Sequence, residues 1–284
     1  MKKMNLRFTL VLMSVALIMS AINSFGQTTG KNLSFTVNGV SFEMLFVEGI
    51  TFIMGCTSEQ GNDCYHNEKP THSVTLTDYY MGKYQVTQKL WQAVMGTGIR
   101  GQRDLGHTSW PLYGEGDDYP MYYINYNECE EFCAKLNKLL SDKLPEGYKF
   151  RLPTEAQWEY AARGGKKSKG YKYSGSDYIG EVAWYNSNSG GRTHEVGMKD
   201  KNELGIYDMS GNVWEWCQDW YDASYYSNSS STNPKGPSSG SDRVLRGGSW
   251  RGIAQGCSVS FRSNAGPNRR FHNSGVRLVL VPKD

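Results

Sequence analysis

An α+β domain of short strands and few helices is what this sequence predicts, and three observations predict it. Gly (32), Tyr (19) and Trp (8) are abundant, which suits a loop-rich fold with a core of large rings rather than long helices. Runs that alternate apolar and polar residues are short and are separated by turn signals. Helix signals are confined to three brief stretches.

Residues 1–26 stand apart from that domain. Lys2, Lys3 and Arg7 precede an apolar run from Phe8 to Met19, and Ser24-Phe25-Gly26 offers small residues for cleavage. The run is short for a membrane span, so the segment reads as a cleaved secretory signal. No cysteine lies near the cleavage point to carry a lipid anchor. The expected setting is periplasmic or extracellular, with no membrane span in the mature chain. The signal also accounts for the charge. The chain has 31 Lys and Arg against 28 Asp and Glu, and three of those basic residues lie in 1–26. The mature chain is formally neutral, which argues against nucleic acid as a partner.

One domain is expected over 34–284. Phe35 to Val47 alternates around Asn38-Gly39, a hairpin signature. Thr51–Gly55 and Val74–Thr77 read as further strands. Gln85–Met95 reads as a short helix, and Pro111 to Pro120 as an irregular aromatic loop. Asn127 with Glu130 is a capping pair for a helix over 128–141, with Phe132, Cys133, Leu136 and Leu140 on one face. Thr154 with Gln157 caps a second helix, whose buried stripe is Trp158, Ala161 and Ala162 and whose end is Gly164-Gly165. Ser224 to Gly240 holds almost no apolar side chain and reads as a solvated loop.

Six cysteines in an exported chain permit disulfides. Cys56 and Cys64 flank a short polar loop and are the expected bridge. Cys129 and Cys133 are four apart on a helix, where a bridge would strain the geometry. Cys217 and Cys257 are a further possible pair.

Four segments carry a resemblance. They are Phe52-Ile53-Met54-Gly55 with Glu68-Lys69-Pro70-Thr71-His72; Arg151 to Gly165, reading RLPTEAQWEYAARGG; Gly205 to Trp216, reading GIYDMSGNVWEW; and Arg243 to Trp250, reading RVLRGGSW, with Gly275-Val276-Arg277-Leu278. In this order they resemble the formylglycine-generating enzyme, or sulfatase-modifying factor, family. The resemblance implies a single domain related to C-type lectins, with little regular secondary structure. It also implies a calcium site at Asp208, Gly211, Val213 and Glu215, formed by two carboxylates and two backbone carbonyls. Oxygen ligands suit that hard cation. A second calcium position would fall near Val182-Ala183, where Val182 replaces the expected amide side chain.

Active members of that family hold Cu(I) between two cysteines, and with O2 they oxidise a substrate cysteine to formylglycine. Soft thiolates select Cu(I), and near-linear coordination needs a pair. Here Cys257 matches the second position, beside Ser249, while Gly252 stands at the first. One thiolate does not make that site, so copper is not expected. The resemblance places a substrate groove around Ser249, Trp214, Trp250 and Arg262, with Arg246 and Arg277 as structural ion-pair partners. His66, His72, His107, His194 and His272 are scattered and form no ligand pattern. Three readings remain. One is an exported domain without the copper dithiol that binds a peptide, protein or glycan. The second is an active formylglycine-generating oxidoreductase. The third is a lectin-like scaffold subunit.

Overall fold

A computed structural model describes residues 30–283. The expected signal, 1–26, lies outside the described residues. The chain opens with a hairpin, β1 (Leu33–Val37) and β2 (Val40–Val47), in the expected register, Val37 opposite Val40. Asn38 (φ 47°) and Gly39 (φ 81°) both lie in the left-handed region, as the tight turn between twisted strands requires. Next come β3 (Thr51–Met54), β4 (His72–Thr75), β5 (Tyr79–Gly82), α1 (Gln88–Met95), α2 (Ile99–Gly106) and α3 (Tyr126–Leu139). After these follow β6 (Tyr148–Arg151), α4 (Glu155–Ala162), the single turn α5 (Ile179–Val182) and β7 (Trp214–Trp220). The chain closes with β8 (Arg243–Arg246), β9 (Ser263–Ala265), β10 (Ser274–Gly275) and β11 (Val279–Pro282).

The central sheet has the order β1-β2-β5-β11-β6 and is antiparallel throughout. It divides the molecule into two cores. Met44, Tyr80 and Leu280 face one core, with α1 and α3; there Trp91 stacks on Phe132 at 5.1 Å. Such a ring pair contributes about 0.5–1.5 kcal/mol beyond its area. Leu45, Met81 and Val279 face the other core, with α4. Burial on both faces accounts for the continuous apolar runs Met44 to Val47, Tyr79 to Met81 and Val279 to Val281. A second sheet, β10-β7-β8-β9, carries parts of the third and fourth segments of the resemblance; the first falls in β3 and β4, which pair with each other, and the second in β6 and α4.

α4 begins at Thr154 with Gln157 closing the capping box, as expected. Its whole length is buried, not only the stripe at Trp158, Ala161 and Ala162. α3 starts earlier than expected. Asn125 and Glu128 form the capping box, and Tyr126, Cys129, Phe132, Cys133 and Leu136 turn to the core. α1 starts at Gln88, capped by Thr87, so Gln85 is not helical. The segment 224–240 is anchored, not solvated throughout. Tyr226 is buried, Thr232 pairs with Thr75, and Asn233 Oδ1 accepts from the Thr77 N–H at 3.0 Å. Cys56 and Cys64 form the expected disulfide. Cys129, Cys133, Cys217 and Cys257 are free and buried, so the Cys217–Cys257 pair is not made. Among the described residues no helix is long and apolar enough to cross a membrane.

Candidate functional site

The segment before β7 folds into a tight loop. Asp208 (φ 58°) and Asn212 (φ 61°) hold left-handed conformations. The Asn212 side chain fixes the loop by bonding both ways to the His194 backbone, at 3.1 and 3.0 Å. The result is a cluster of inward oxygens. The carbonyls of Asp208, Gly211 and Val213 and the Glu215 Oε1 all lie around the Gln85 Nε2, at 3.1, 3.4, 3.0 and 3.0 Å. These are hard donors of the kind calcium takes, and the cluster fits that ion.

Asp208 enters by its carbonyl rather than by its carboxylate. The carboxylate Oδ2 instead accepts from the Gly197 N–H at 2.7 Å, and burial pushes this carboxyl up to about 6. Glu215 is held by a fork from Arg277, whose Nη2 approaches Oε1 at 2.7 Å, and by the Trp158 indole N–H on Oε2 at 2.7 Å. Arg277 is therefore the ion-pair partner the sequence suggested. At the second expected calcium position the carbonyls are engaged within the protein. Lys199 Nζ donates to Gly180, the Asp200 N–H to Glu181, and Asn188 Nδ2 to Ala183. No group of three or more His, Cys, Asp or Glu side chains is arranged to hold a metal among the described residues.

Cys257 closes the short turn Ala254–Cys257 and is fully buried, with Tyr173 and Val182 beside it. Burial pushes its thiol up to about 12, so it is protonated at neutral pH. The Gly-Gly-Ser-Trp turn presses against it: a Cβ on Gly248 (φ 77°) would lie 2.5 Å from its Sγ. A Cβ on Gly252 would meet Ser249 first, with the Ser249 carbonyl oxygen 3.3 Å away. Cys217 belongs to the core around α4 and Cys257 to a small separate cluster. One sealed thiol with no second thiol beside it does not make the paired-thiolate site that Cu(I) takes.

The expected groove residues divide. Trp214 is half-buried and reaches Phe261 at 5.9 Å. Ser249 is buried, its Oγ accepting from Asn273 Nδ2 at 3.0 Å. Arg262 does not face a groove. It is buried, forks onto Glu155 at 2.7 and 2.9 Å and donates to the Asn67 carbonyl at 2.8 Å. Arg246 bridges Glu155 and Glu159 at 3.1 and 2.6 Å and also holds the Val259 and Ser260 carbonyls. These arginines tie the segment after Cys257 to α4. From the other side, Gln255 donates to the Asp63 carbonyl at 2.7 Å and accepts from the Tyr65 hydroxyl at 3.2 Å. The Cys56–Cys64 loop thus buttresses the turn that carries Cys257.

Trp250 is buried beneath Tyr113 and His272, at ring distances of 4.8 and 5.5 Å. These two rings border an open cleft of about 570 Å³ that the sequence reading did not assemble. Trp110 stacks on Tyr123 at 5.2 Å to form one wall, and Phe271 and His272 form the other. Arg269 lies exposed at the rim. Arg270 is fixed by Glu128 and the Tyr123 carbonyl. The aromatic loop over 111–120 was the available signal; its meeting with 268–272 is a long-range event.

The chain matches the sulfatase-modifying factor enzyme 1-like domain over residues 35–281. It is 31% identical to a protein named chaperone protein LppX from Paenibacillus barcinonensis, over 92% of this chain and 94% of that one. It is 32% identical to the formylglycine-generating enzyme of Streptomyces coelicolor, over 57% of this chain and 52% of the enzyme, so that match spans about half of each. Among solved structures, Treponema denticola variable protein 1 superposes with a TM-score of 0.75 and 35% identity, over 89% of this chain and all of the other. PvdO from Pseudomonas aeruginosa shares the fold, with a TM-score of 0.71 at 24% identity over 89% of this chain and 99% of its own.

Proposed function

Because the chain belongs to the sulfatase-modifying factor enzyme 1-like family, we propose that it is an exported, ligand-binding member that does without copper chemistry. The observation that carries this reading is the setting of Cys257: a single, fully buried thiol with Gly252 at the position of its expected partner. Fold similarity alone does not carry chemistry over when a required group is missing. Two relatives aligned along nearly their whole length, the Paenibacillus chaperone protein and the Treponema variable protein, bear names other than the enzyme's, which supports the same reading.

The binding surface in this proposal is the cleft walled by Trp110, Tyr123, Phe271 and His272. Flat rings with an arginine at the rim suit a peptide, a protein loop or a glycan, which present apolar faces beside polar groups. Calcium has a structural part here. The carbonyls of Asp208, Gly211 and Val213 and the Glu215 carboxylate would hold it, and its charge would lock the loop that leads into β7.

The test is direct. The chain is incubated with Cu(I), O2 and a sulfatase-type Cys-x-Pro-x-Arg peptide, and the peptide is examined for an aldehyde. No aldehyde is expected; its appearance, lost on Cys257→Ala, would overturn the proposal.

A further inference from the structure

The cleft beside Trp250 offers a ligand some faces and withholds others. Trp110 already stacks on Tyr123 at 5.2 Å and on His107 at 6.4 Å. Tyr113 lies against Trp250 and His272. Phe271 differs: it is half-buried, and among the described residues no other ring stacks on it. Leu105, 61% exposed, lines the same cleft. One ring and one aliphatic side chain are thus left to take the apolar face of a ligand.

The main chain around the cleft is engaged. The Phe271 carbonyl accepts from the Tyr123 N–H at 3.0 Å, the Tyr123 carbonyl from Arg270 Nη1 at 3.1 Å and the Pro111 carbonyl from the Tyr123 hydroxyl at 3.0 Å. The Arg269 N–H donates to the Gly266 carbonyl at 2.9 Å. An extended peptide gains affinity by adding to a free strand edge, and these engaged groups offer none. Recognition falls to side chains. A pyranose, with an apolar C–H face and a polar rim, suits a lone ring among them.

The polar side chains of the cleft are donors. Asn268 is exposed, and its Oδ1 accepts from Asn127 Nδ2 at 2.7 Å, which leaves its own Nδ2 for a ligand. Arg251 Nη1 lies 3.1 Å from His272 Nε2. A guanidinium only donates, so Nε2 accepts and the imidazole carries its proton on Nδ1. Burial, then the Arg251 charge, lowers the pKa of that ring and keeps it neutral at pH 7. Arg270 is neutralised by Glu128 at 2.7 Å. Arg269 is exposed at the rim and forms no ion pair among the described residues. No Asp or Glu lines the cleft. Donors beside an uncompensated arginine favour an anion.

We propose that the cleft takes an acidic sugar, a uronic-acid residue of a glycan, with its ring on Phe271 and its carboxylate on Arg269. This deepens the binding reading above and rests on it. Asn268 and His272 would bond the ring hydroxyls, and the volume of about 570 Å³ suits a short oligosaccharide.

The probes are uronic-acid oligosaccharides cut from pectate, alginate and hyaluronan, with their methyl esters, which keep the rings and lose the charge. A Glu-rich peptide serves as an acid without a sugar. Binding is read by titration calorimetry on the wild-type chain, Arg269→Ala, Arg269→Lys and Phe271→Ala. A uronate is expected to bind, and its methyl ester to bind about tenfold or more weaker, as loss of a charge-assisted hydrogen bond predicts. Arg269→Ala should weaken the uronate by a similar factor, and Arg269→Lys should recover part of the loss. Phe271→Ala should weaken uronate and ester alike; where that variant fails to fold, the exposed Arg269 decides. Equal affinity for uronate and ester, uronate binding unchanged by Arg269→Ala or Phe271→Ala, or binding of the peptide in place of every uronate would refute the acidic-sugar inference. Peptide or ester binding that is lost in Phe271→Ala would still leave the cleft reading standing. No binding of any probe would remove both.

Discussion

The loop over 208–215 and the turn over 247–257 both come from segments of the family resemblance, yet they carry their chemistry differently. In the first, three of the four cluster oxygens are backbone carbonyls. Conformation alone aims a carbonyl, so the site depends chiefly on the turn being made. In the second, the family's reaction depends on two side chains of one type. With Gly at 252, the same turn encloses a single thiol that serves as core. A site built from backbone carbonyls tolerates changes of side chain; one built from paired thiols does not.

The largest test of this contrast is Glu215→Ala. It removes the only side-chain carboxylate of the oxygen cluster and leaves Arg277, itself fully buried, without its partner. Breaking such a pair costs about 3–5 kcal/mol, measurable by denaturant unfolding. Glu215→Gln keeps the shape and should cost less while still abolishing any calcium response.

Asp219 should give an effect of opposite sign. Burial, and then the neighbouring Glu155 charge, push its carboxyl up from 3.8 to about 7. The folded state thus holds this proton more tightly than the unfolded state. The resulting loss of stability grows as pH rises from about 4 to about 7. Asp219→Asn should stabilise the protein by up to about 4 kcal/mol above pH 8 and by almost nothing near pH 4, in parallel melts across that range. Equal gains at both ends would show that ionisation is not the cause.

Calcium removal should lower the melting temperature of the wild type by several degrees, as expected for a ligand bound only to the folded state. A flat response to chelator would place the oxygen cluster and the thiol turn on the same footing, as relics of shape. The smallest effect should be Cys257→Ala. It deletes one buried sulfur and should cost about 1–2 kcal/mol through packing, leaving the calcium response unchanged. A much larger loss, or any loss of an O2-dependent activity, would break the comparison.

Much of the framework was legible because its signals are local. Asn38-Gly39 and the Thr154–Gln157 box act within a few residues. α3 shows the limit of such signals. Asn125–Glu128 and Asn127–Glu130 are overlapping capping pairs of nearly equal merit. Burial of Tyr126 and Cys129 on the core face selects the first, and that is a tertiary fact. Tyr226 was hidden likewise, in a run with no periodicity; it is buried because it lies over the Arg262 guanidinium at 4.1 Å and against His72 at 4.6 Å. The oxygen loop was legible as a short motif. Gln85, 123 residues from Asp208, gave no local sign of joining it. Arg262 looked available from the sequence because nothing nearby in the chain announces Glu155.

β11 lies inside the central sheet, between β5 and β6. Its residues, 279–282, come after every other described strand in chain order. Until they arrive, both of those neighbours are bare edges and the wall between the two cores has a gap. Closure therefore waits on pairing over 130 to 200 residues of sequence, a slow class of event.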